Sequence, residues 1–192
     1  MKYELVELTF EDNFATITMN NPQRRNALSV RHMQELKAAF QEAGESPARG
    51  VILAANGPVF SSGHDFSDMI GRDLTEMRKI LRLCTEMMDT IQAIPQPVLA
   101  RVHAMAVAAG CQLVATCDLA VASEEASFGT PGGAGGWFCT TPMVAVSRNV
   151  GRKRALEMLF TGDRIDARTA YEWGLVNRVV PADKLVDESK RL

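Results

Sequence analysis

The order of apolar and polar positions along the chain predicts strands near its beginning. Residues 3–10 and 14–19 are two β-prone runs with alternation, and the polar residues 11–13 between them are typical of a hairpin turn. Residues 50–55 are almost entirely apolar, which predicts a buried strand. The pair Asn56–Gly57 favours a turn directly after that strand.

Two segments have the apolar spacing of amphipathic helices. Ser29 can cap the first helix, and Gly44 ends it. Asp73 and Glu76 have the spacing of a capping box and open a second, longer helix. The apolar positions are Met33, Leu36 and Phe40 in the first helix, and Met77, Ile80, Leu81, Cys84, Met88 and Ile91 in the second. The methionine-rich stripe of the second helix favours core or subunit contact over an adaptable apolar pocket.

Residues 98–122 combine a β-rich run, a turn of small residues and a helix. The turn at 106–110 reads Ala-Val-Ala-Ala-Gly, and a short apolar run follows the helix at 119–122. A helix beginning at this turn would present its free N–H groups to an unobstructed site, where the helix dipole favours negative charge. Such a turn can hold an oxyanion. Tight packing of a buried helix explains the small residues equally well.

The last third of the chain is predicted to be mainly helical. Residues 128–136 form a glycine-rich loop that we expect to be flexible. The predicted elements after it are a helix from Thr141 and Pro142 to Gly151, a helix through Ala155, Leu156 and Leu159, a helix over 166–173, a strand over 175–180 and a helix after Pro181. The order β-β-α-β-α-β-α-β followed by helices predicts the α/β class with parallel crossovers.

Composition and charge exclude several classes of function. The 192 residues are 46% hydrophobic and can bury the core of one domain. A net charge of −2 without a basic cluster argues against a nucleic-acid partner. No apolar run approaches the roughly 20 residues of a membrane span, so we expect no membrane partner. The four cysteines lack paired C-x-x-C spacing, which predicts neither a metal site nor a disulfide framework and favours a reducing, cytoplasmic compartment. The glycine-rich loop is not a P-loop, because no Lys-Ser/Thr pair follows its last glycine, and it does not fit the G-x-G-x-x-G motif in the first βα turn of the chain.

Several segments resemble the crotonase superfamily, the enoyl-CoA hydratase/isomerase family. They are 25–28 (Arg-Asn-Ala-Leu), 60–65 (Phe-Ser-Ser-Gly-His-Asp), 106–113 (Ala-Val-Ala-Ala-Gly-Cys-Gln-Leu), 117–118 (Cys-Asp), 128–131 (Phe-Gly-Thr-Pro), 159–162 (Leu-Phe-Thr-Gly) and 170–180. They run through nearly the whole chain in the family's order. The resemblance implies a spiral of β-β-α units over residues 1–180, with 181–192 as the start of a C-terminal helical region. Members usually continue into further helices, which we expect to be largely absent from this chain.

The resemblance also implies a site. Members of the family hold the carbonyl of an acyl-CoA thioester between two backbone N–H groups, which correspond here to His64 and Ala109. Substrate and CoA contacts are implied for Arg24, Arg25, Ala27, Ser62, Asp65, Phe66, Ala108, Gly110 and Pro131. Within the loop 24–27 that meets the adenine, Arg24 or Arg25 either pairs with CoA phosphates or faces solvent. Coenzyme A is part of the substrate, so no separate cofactor and no metal is implied. A homotrimer or a dimer of trimers is implied as the assembly, with the mitochondrial matrix as compartment if the protein is eukaryotic.

The chain departs from the hydratase pattern at both catalytic glutamates, which correspond to Gln112 and Gly132. Hydration needs one carboxylate to activate water and another to deliver a proton, and each contributes about 10²–10⁴ in rate. We therefore expect an acyl-CoA binder that stabilises a thioester oxyanion but hydrates poorly, and we expect Gln112→Glu with Gly132→Glu to restore hydration. Isomerisation, thioester hydrolysis and decarboxylation stay open. So does a non-catalytic acyl-CoA-binding or assembly subunit.

Other side chains near these positions offer replacement acid or base groups. We expect the side chain of His64 to point away from the site, since the family uses its main chain. Asp65 is expected to cap the following segment, and Asp68 to be a surface charge. Cys139 either faces the pocket or is a buried, inert thiol, and the second reading is favoured.

Overall fold

The computed structural model describes residues 3–192 as strands of two sheets with helices packed around them. The strands are β1 Val6–Glu11, β2 Phe14–Met19, β3 Gly50–Ala55, β4 Val98–Val102, β5 Ala106–Val107, β6 Leu119–Ser123, β7 Ser127–Gly129, β8 Arg164–Asp166 and β9 Arg178–Val180. The helices are α1 Val30–Gly44, α2 Leu74–Ala93, α3 Ala109–Thr116, α4 Pro142–Val150, α5 Arg152–Thr161, α6 Ala167–Trp173 and α7 Leu185–Arg191. The larger sheet has the order β1-β2-β3-β4-β6-β9, with β1 antiparallel and all later pairs parallel.

The hairpin predicted for the first two strands is confirmed. Its register brings Glu11 opposite Phe14, and the turn residues Asp12 and Asn13 both have left-handed φ values, 52° and 66°. Asp and Asn tolerate this region better than other non-glycine residues, which makes them suitable for a two-residue hairpin turn. Every second side chain of β2 is buried, as the alternation predicts.

The beginnings of the two predicted amphipathic helices are also confirmed. The Ser29 hydroxyl accepts a hydrogen bond from the His32 N–H at 3.1 Å and caps α1, which ends at Gly44. Asp73 and Glu76 form a reciprocal capping box at the start of α2. The stripe of α2 is mainly core: Ile80, Cys84, Met87, Met88 and Ile91 are buried.

The small second sheet was not predicted. It has the order β5-β7-β8 and is built from strands of two or three residues. The loop predicted over 128–136 therefore begins inside β7 and continues as a short 3-10 helix, Pro131–Gly135. The strand predicted over 175–180 is shorter, because Leu175 and Val176 turn into the core and only Arg178–Val180 pairs with β6.

The larger sheet is covered on both faces. Val51 and Leu53 of β3 belong to the main core, whereas Ile52 points to the opposite face, as expected for successive strand residues. There Ile52 packs in a second cluster with Leu99, Val121 and Leu185 of α7. The division of the chain near residue 180 stays a prediction. Among residues 3–192, no helix is long and apolar enough to cross a membrane.

Candidate functional site

The segment 61–65 presents one backbone N–H group that has no acceptor. The Leu28 N–H donates to the Gly63 carbonyl at 2.7 Å, and the Asp65 N–H donates to the Leu28 carbonyl at 3.2 Å. These bonds form a parallel bridge between Leu28 and His64. In such a bridge the residue between the two bonded groups, here His64, directs its own N–H away from the partner segment. The His64 N–H has no acceptor within the described part of the chain.

A second free N–H group lies at the start of α3. Ala108, between β5 and α3, has φ 51° and ψ −122°, a conformation that costs a non-glycine residue about 1–3 kcal/mol. It is held by the bonds from the Ala108 N–H to the Gly129 carbonyl at 2.9 Å and from the Val107 N–H to the Ser61 carbonyl at 3.0 Å. The Ala109 N–H belongs to the first turn of the helix and has no acceptor among residues 3–192.

Two glycines allow these N–H groups to approach each other. A methyl group on Gly63, which has φ +90°, would lie 3.1 Å from the Ala109 nitrogen and 2.8 Å from the Ala108 Cβ. A methyl group on Gly110 would lie 2.5 Å from the Ser61 carbonyl oxygen. Real Cβ atoms essentially never approach other atoms this closely, so only glycine permits this spacing at either position without movement of the backbone.

Both segments line one cavity of about 110 Å³. It is lined by Ser62, His64, Phe66, Met69, Leu81, Ala108, Ala109, Gly132, Trp137, Cys139, Thr140, Thr141 and Pro142. This set contains six of the residues predicted from the sequence, together with an apolar wall from Met69, Leu81, Trp137 and Pro142 that was not predicted. No carboxylate is among the described residues that line the cavity.

His64 and Cys139 are the titratable side chains among these lining residues. Burial lowers the pKa of His64, and its Nε2 is closed off from solvent without a hydrogen-bond partner. The ring is therefore held in its neutral form at pH 7. Burial raises the pKa of Cys139, and the Gly132 N–H offsets this effect only in part. Cys139 is thus both buried and part of the cavity wall, with its thiol protonated at neutral pH.

Gln112 lies outside this cavity. It lines a neighbouring cavity of about 480 Å³ between α2, α3 and α4, and Thr140 and Thr141 line both. Gln112 is 7% exposed, and its Oε1 has no hydrogen-bond donor among the described residues. An amide can orient water there but cannot accept its proton at neutral pH.

Gly132 has no room for a side chain. A methyl group on it would lie 2.0 Å from the Trp137 carbonyl oxygen and 2.8 Å from the Cys139 Sγ. The Trp137 N–H donates to the Gly132 carbonyl at 2.7 Å and closes the loop over this position. The restoring substitution Gly132→Glu expected from the sequence therefore does not fit unless the loop 132–137 moves. The sequence alone does not reveal this, since the obstacle is a backbone carbonyl.

The remaining predicted residues surround the cavity without lining it. The exposed Arg24 is engaged within the loop: its Nη2 donates to both carboxylate oxygens of Asp65 at 2.8 Å and to the Ser67 hydroxyl at 3.0 Å. Arg25 is exposed and has a left-handed φ of 52°, and its side chain makes no hydrogen bond or ion pair with the described residues. Ala27 is buried, and its carbonyl lies 3.0 Å from the His32 Nδ1. Pro131 begins the 3-10 helix beside the cavity.

The capping role predicted for Asp65 is confirmed. Its carboxylate accepts the Ser67 N–H at 3.0 Å at the start of a 3-10 helix, Phe66–Asp68. Burial alone would raise the pKa of Asp65, but hydrogen bonds from Ser67 and Arg24 outweigh that effect and lower it. Asp68, expected to be a surface charge, is half-buried and also has a structural role, since its Oδ2 accepts the Val30 N–H at 2.7 Å and ties this loop to α1.

The comparisons with known proteins identify the family of the chain. Residues 9–192 match the family described as enoyl-CoA hydratase/isomerase, and the chain belongs to that family. It is 45% identical over 184 residues to rat enoyl-CoA hydratase domain-containing protein 3, mitochondrial, a match that covers 95% of this chain and 61% of that relative. The likeness to this subgroup is carried by 108–113 and 157–162.

Two solved structures show the same fold. The crystal structure of human enoyl-CoA hydratase domain-containing protein 3 superposes with a TM-score of 0.95 at 42% identity, covering 98% of this chain and 75% of that one. The enoyl-CoA hydratase of Mycobacterium smegmatis also gives a TM-score of 0.95, at 46% identity, covering 98% and 74%. The crotonase fold predicted from the sequence is thereby confirmed. The chain spans 61% of the length of the rat relative.

Proposed function

We propose that the chain binds an acyl-CoA and holds its thioester carbonyl between the N–H groups of His64 and Ala109. The observation that carries this proposal is the pair of backbone donors without acceptors on two adjoining segments of one cavity. Donors fixed toward an oxygen that becomes an enolate or tetrahedral oxyanion contribute about 10²–10³ each in rate. The positive end of the α3 dipole supports the same charge.

The surroundings of the donors suit the rest of an acyl-CoA. Met69, Leu81 and Trp137 give the cavity an apolar wall for the acyl group. Both arginines considered for the CoA phosphates are exposed, but the Arg24 guanidinium is already paired with Asp65, whereas no hydrogen bond or ion pair to the described residues holds Arg25. We therefore assign the phosphate contact to Arg25 and a loop-fixing role to Arg24.

Within this proposal the protein is a poor hydratase. The lining residues of the cavity provide no carboxylate, Gln112 has no basic oxygen, and Cys139 keeps its proton at neutral pH. Polarisation of the thioester is thus retained while both proton transfers of hydration lack their groups. Decarboxylation of an α-carboxyacyl (malonyl-type) thioester makes the smallest further demand, because the electron pair of the bond to the departing CO2 passes to the α-carbon and the thioester oxygen as an enolate, without a general base. Isomerisation and thioester hydrolysis stay alternatives, as does a non-catalytic binding subunit.

Two measurements test the proposal. The infrared carbonyl stretch of [1-¹³C]butyryl-CoA, which cannot be hydrated, should move to lower frequency when the protein binds it, because two N–H donors weaken the carbonyl bond. Crotonyl-CoA mixed with stoichiometric protein should keep its enoyl-thioester ultraviolet band. An unshifted carbonyl would refute polarisation, and rapid loss of the band would refute poor hydration.

The variant Gln112→Glu refines the second measurement. Glutamate has nearly the shape of glutamine, so the substitution supplies a carboxylate without filling the cavity, and we expect hydration to rise by about 10². Gln92→Glu is the matched control, since Gln92 lines the same larger cavity but sits on α2. Equal rates for both variants would show that general negative charge, rather than position 112, is responsible.

Assembly and compartment are part of the proposal as well. We keep the homotrimer or dimer of trimers implied by the family, which sedimentation of the full-length protein would test. The rat relative is named as mitochondrial. For this chain we propose the mitochondrial matrix in a eukaryote and the cytoplasm otherwise, which imaging of a tagged full-length protein would decide.

A further inference from the structure

Ser61 contacts the loop at 24–27 and both segments that carry the proposed donors, although it does not line the cavity. It is fully buried. Its hydroxyl donates to the Asn26 carbonyl at 2.9 Å and lies 3.3 Å from the Gly63 N–H, whose hydrogen bond it accepts. Its own carbonyl accepts the Val107 N–H at 3.0 Å. One side chain therefore joins the loop at 24–27 to the segment that carries His64.

The Asn26 side of this connection is itself fixed. Asn26 is fully buried, and its amide donates to the carbonyls of Asn56 at 2.8 Å and Val59 at 3.0 Å. The amide oxygen accepts the Asn21 N–H at 2.9 Å. The carbonyl that receives the Ser61 hydroxyl is thus an anchored point rather than part of a mobile loop.

The α3 side is fixed by direct packing. The Gly110 backbone lies so close to Ser61 that an added methyl group would be 2.8 Å from its Cβ and 2.9 Å from its Oγ. Gly63 has the largest conformational freedom of the residues in the segment, so the direction of the His64 N–H depends on what holds the Gly63 peptide groups. The Ser61 hydroxyl holds the Gly63 N–H, and the Leu28 N–H holds the Gly63 carbonyl.

We propose that Ser61 is a positioning residue that fixes the His64 N–H relative to the Ala109 N–H. This inference rests on the proposed function. Removal of the hydroxyl leaves the buried Asn26 carbonyl and the buried Gly63 N–H each without that partner, and the Gly63 peptides gain freedom to rotate. The His64 donor then loses its alignment toward the thioester oxygen, while the cavity keeps its lining.

The test is the ¹³C carbonyl stretch of bound [1-¹³C]butyryl-CoA in wild type, Ser61→Ala and Ser61→Cys. Wild type should show the full shift to lower frequency. Ser61→Ala should lose about half of it, as expected when one of two donors is misaligned. Ser61→Cys, with a weaker and longer donor, should fall between them. Affinity for free CoA, which has no thioester carbonyl, should change by less than about threefold, because the hydroxyl itself does not touch the ligand.

Ser189→Ala is the matched control. Ser189 is also buried and donates its hydroxyl to a backbone carbonyl, that of Leu185 at 2.6 Å, but it lies in α7. A full carbonyl shift in Ser61→Ala would overturn the inference while leaving the proposed function intact. A missing shift in wild type would remove the proposed function, and the inference with it. Failure of both Ser61 variants to fold beside a folded Ser189→Ala would show a purely structural role and also overturn it.

Discussion

Replacing Gly110 with alanine tests whether the close approach of α3 to Ser61 sets the geometry of the site. The new methyl group would lie 2.5 Å from the Ser61 carbonyl oxygen, and the atoms beside it are backbone or a short, buried side chain that cannot swing away. Ordinary van der Waals contact of a Cβ atom begins at 3.4 Å. The two segments must therefore separate by about 0.9 Å to accept the substitution.

The substitution has opposing effects on stability. In an unobstructed helix interior, Gly→Ala is favourable by about 1 kcal/mol. Overpacking against a fixed neighbour costs about 1–3 kcal/mol. We therefore expect the free energy of unfolding of Gly110→Ala to fall by about 0–2 kcal/mol, a small net change. The effect on the site is larger, because a hydrogen bond lengthened by nearly 1 Å lies outside the bonding range.

The assays are urea unfolding and the carbonyl stretch of bound [1-¹³C]butyryl-CoA. We expect the shift to fall by about half, and any thioester turnover to fall by about 10²–10³, the value of one donor. Gly135→Ala is the control, since a methyl group on Gly135 meets nothing within 4 Å. A Gly110→Ala protein that is more stable than wild type and keeps the full shift would refute the reasoning.

The pH dependence of stability gives two further predictions. Burial lowers the pKa of the fully buried His32 and of the half-buried His64, so the unfolded chain takes up protons below about pH 6.5 before the folded chain does. The urea concentration at the midpoint of unfolding should therefore decrease as the pH is lowered from 7 to 5. Replacing both histidines with glutamine should flatten this dependence, and an unchanged slope of the midpoint against pH would contradict the prediction. Asp65→Asn removes a carboxylate whose pKa is lowered in the fold. This substitution should lower the stability of the fold above about pH 4, and the loss should vanish as the pH falls further. Thermal unfolding at pH 7 and pH 3 measures the loss of stability. An equal loss at both pH values would exclude the ionised carboxylate as its source.

The elements predicted correctly are those with local signals. Ser29 caps α1 through an N–H three residues away, and the Asp73–Glu76 capping box is complete within one turn. The β5-β7-β8 sheet carries no such signal, because its strands contain two or three residues and exist only through pairing with distant partners. No pattern within three residues distinguishes such a strand from a loop.

The residues of the candidate site also divide into those with a local signal in the sequence and those whose role depends on distant partners. The His64 donor came from the family resemblance, but the Ala109 donor could be inferred from the residues, because a turn of small residues before a helix exposes N–H groups whatever lies around it. The role of Asp68 could not, since it depends on the Val30 N–H, 38 positions away in sequence. The hydrogen bonds of Ser61 could not be predicted either, because a serine hydroxyl between two backbone segments leaves no pattern in the sequence.

The crowding at Gly132 has a consequence for engineering and for sequence variation in this family. The effect of a side chain at this position depends on the path of the loop through Trp137, so substitutions at the two positions are not independent. A carboxylate introduced at 132 alone is expected to be harmful, and we expect it to be accepted only together with changes that move the Trp137 carbonyl. Mutagenesis of one position at a time would therefore report position 132 as intolerant and would miss such a combination.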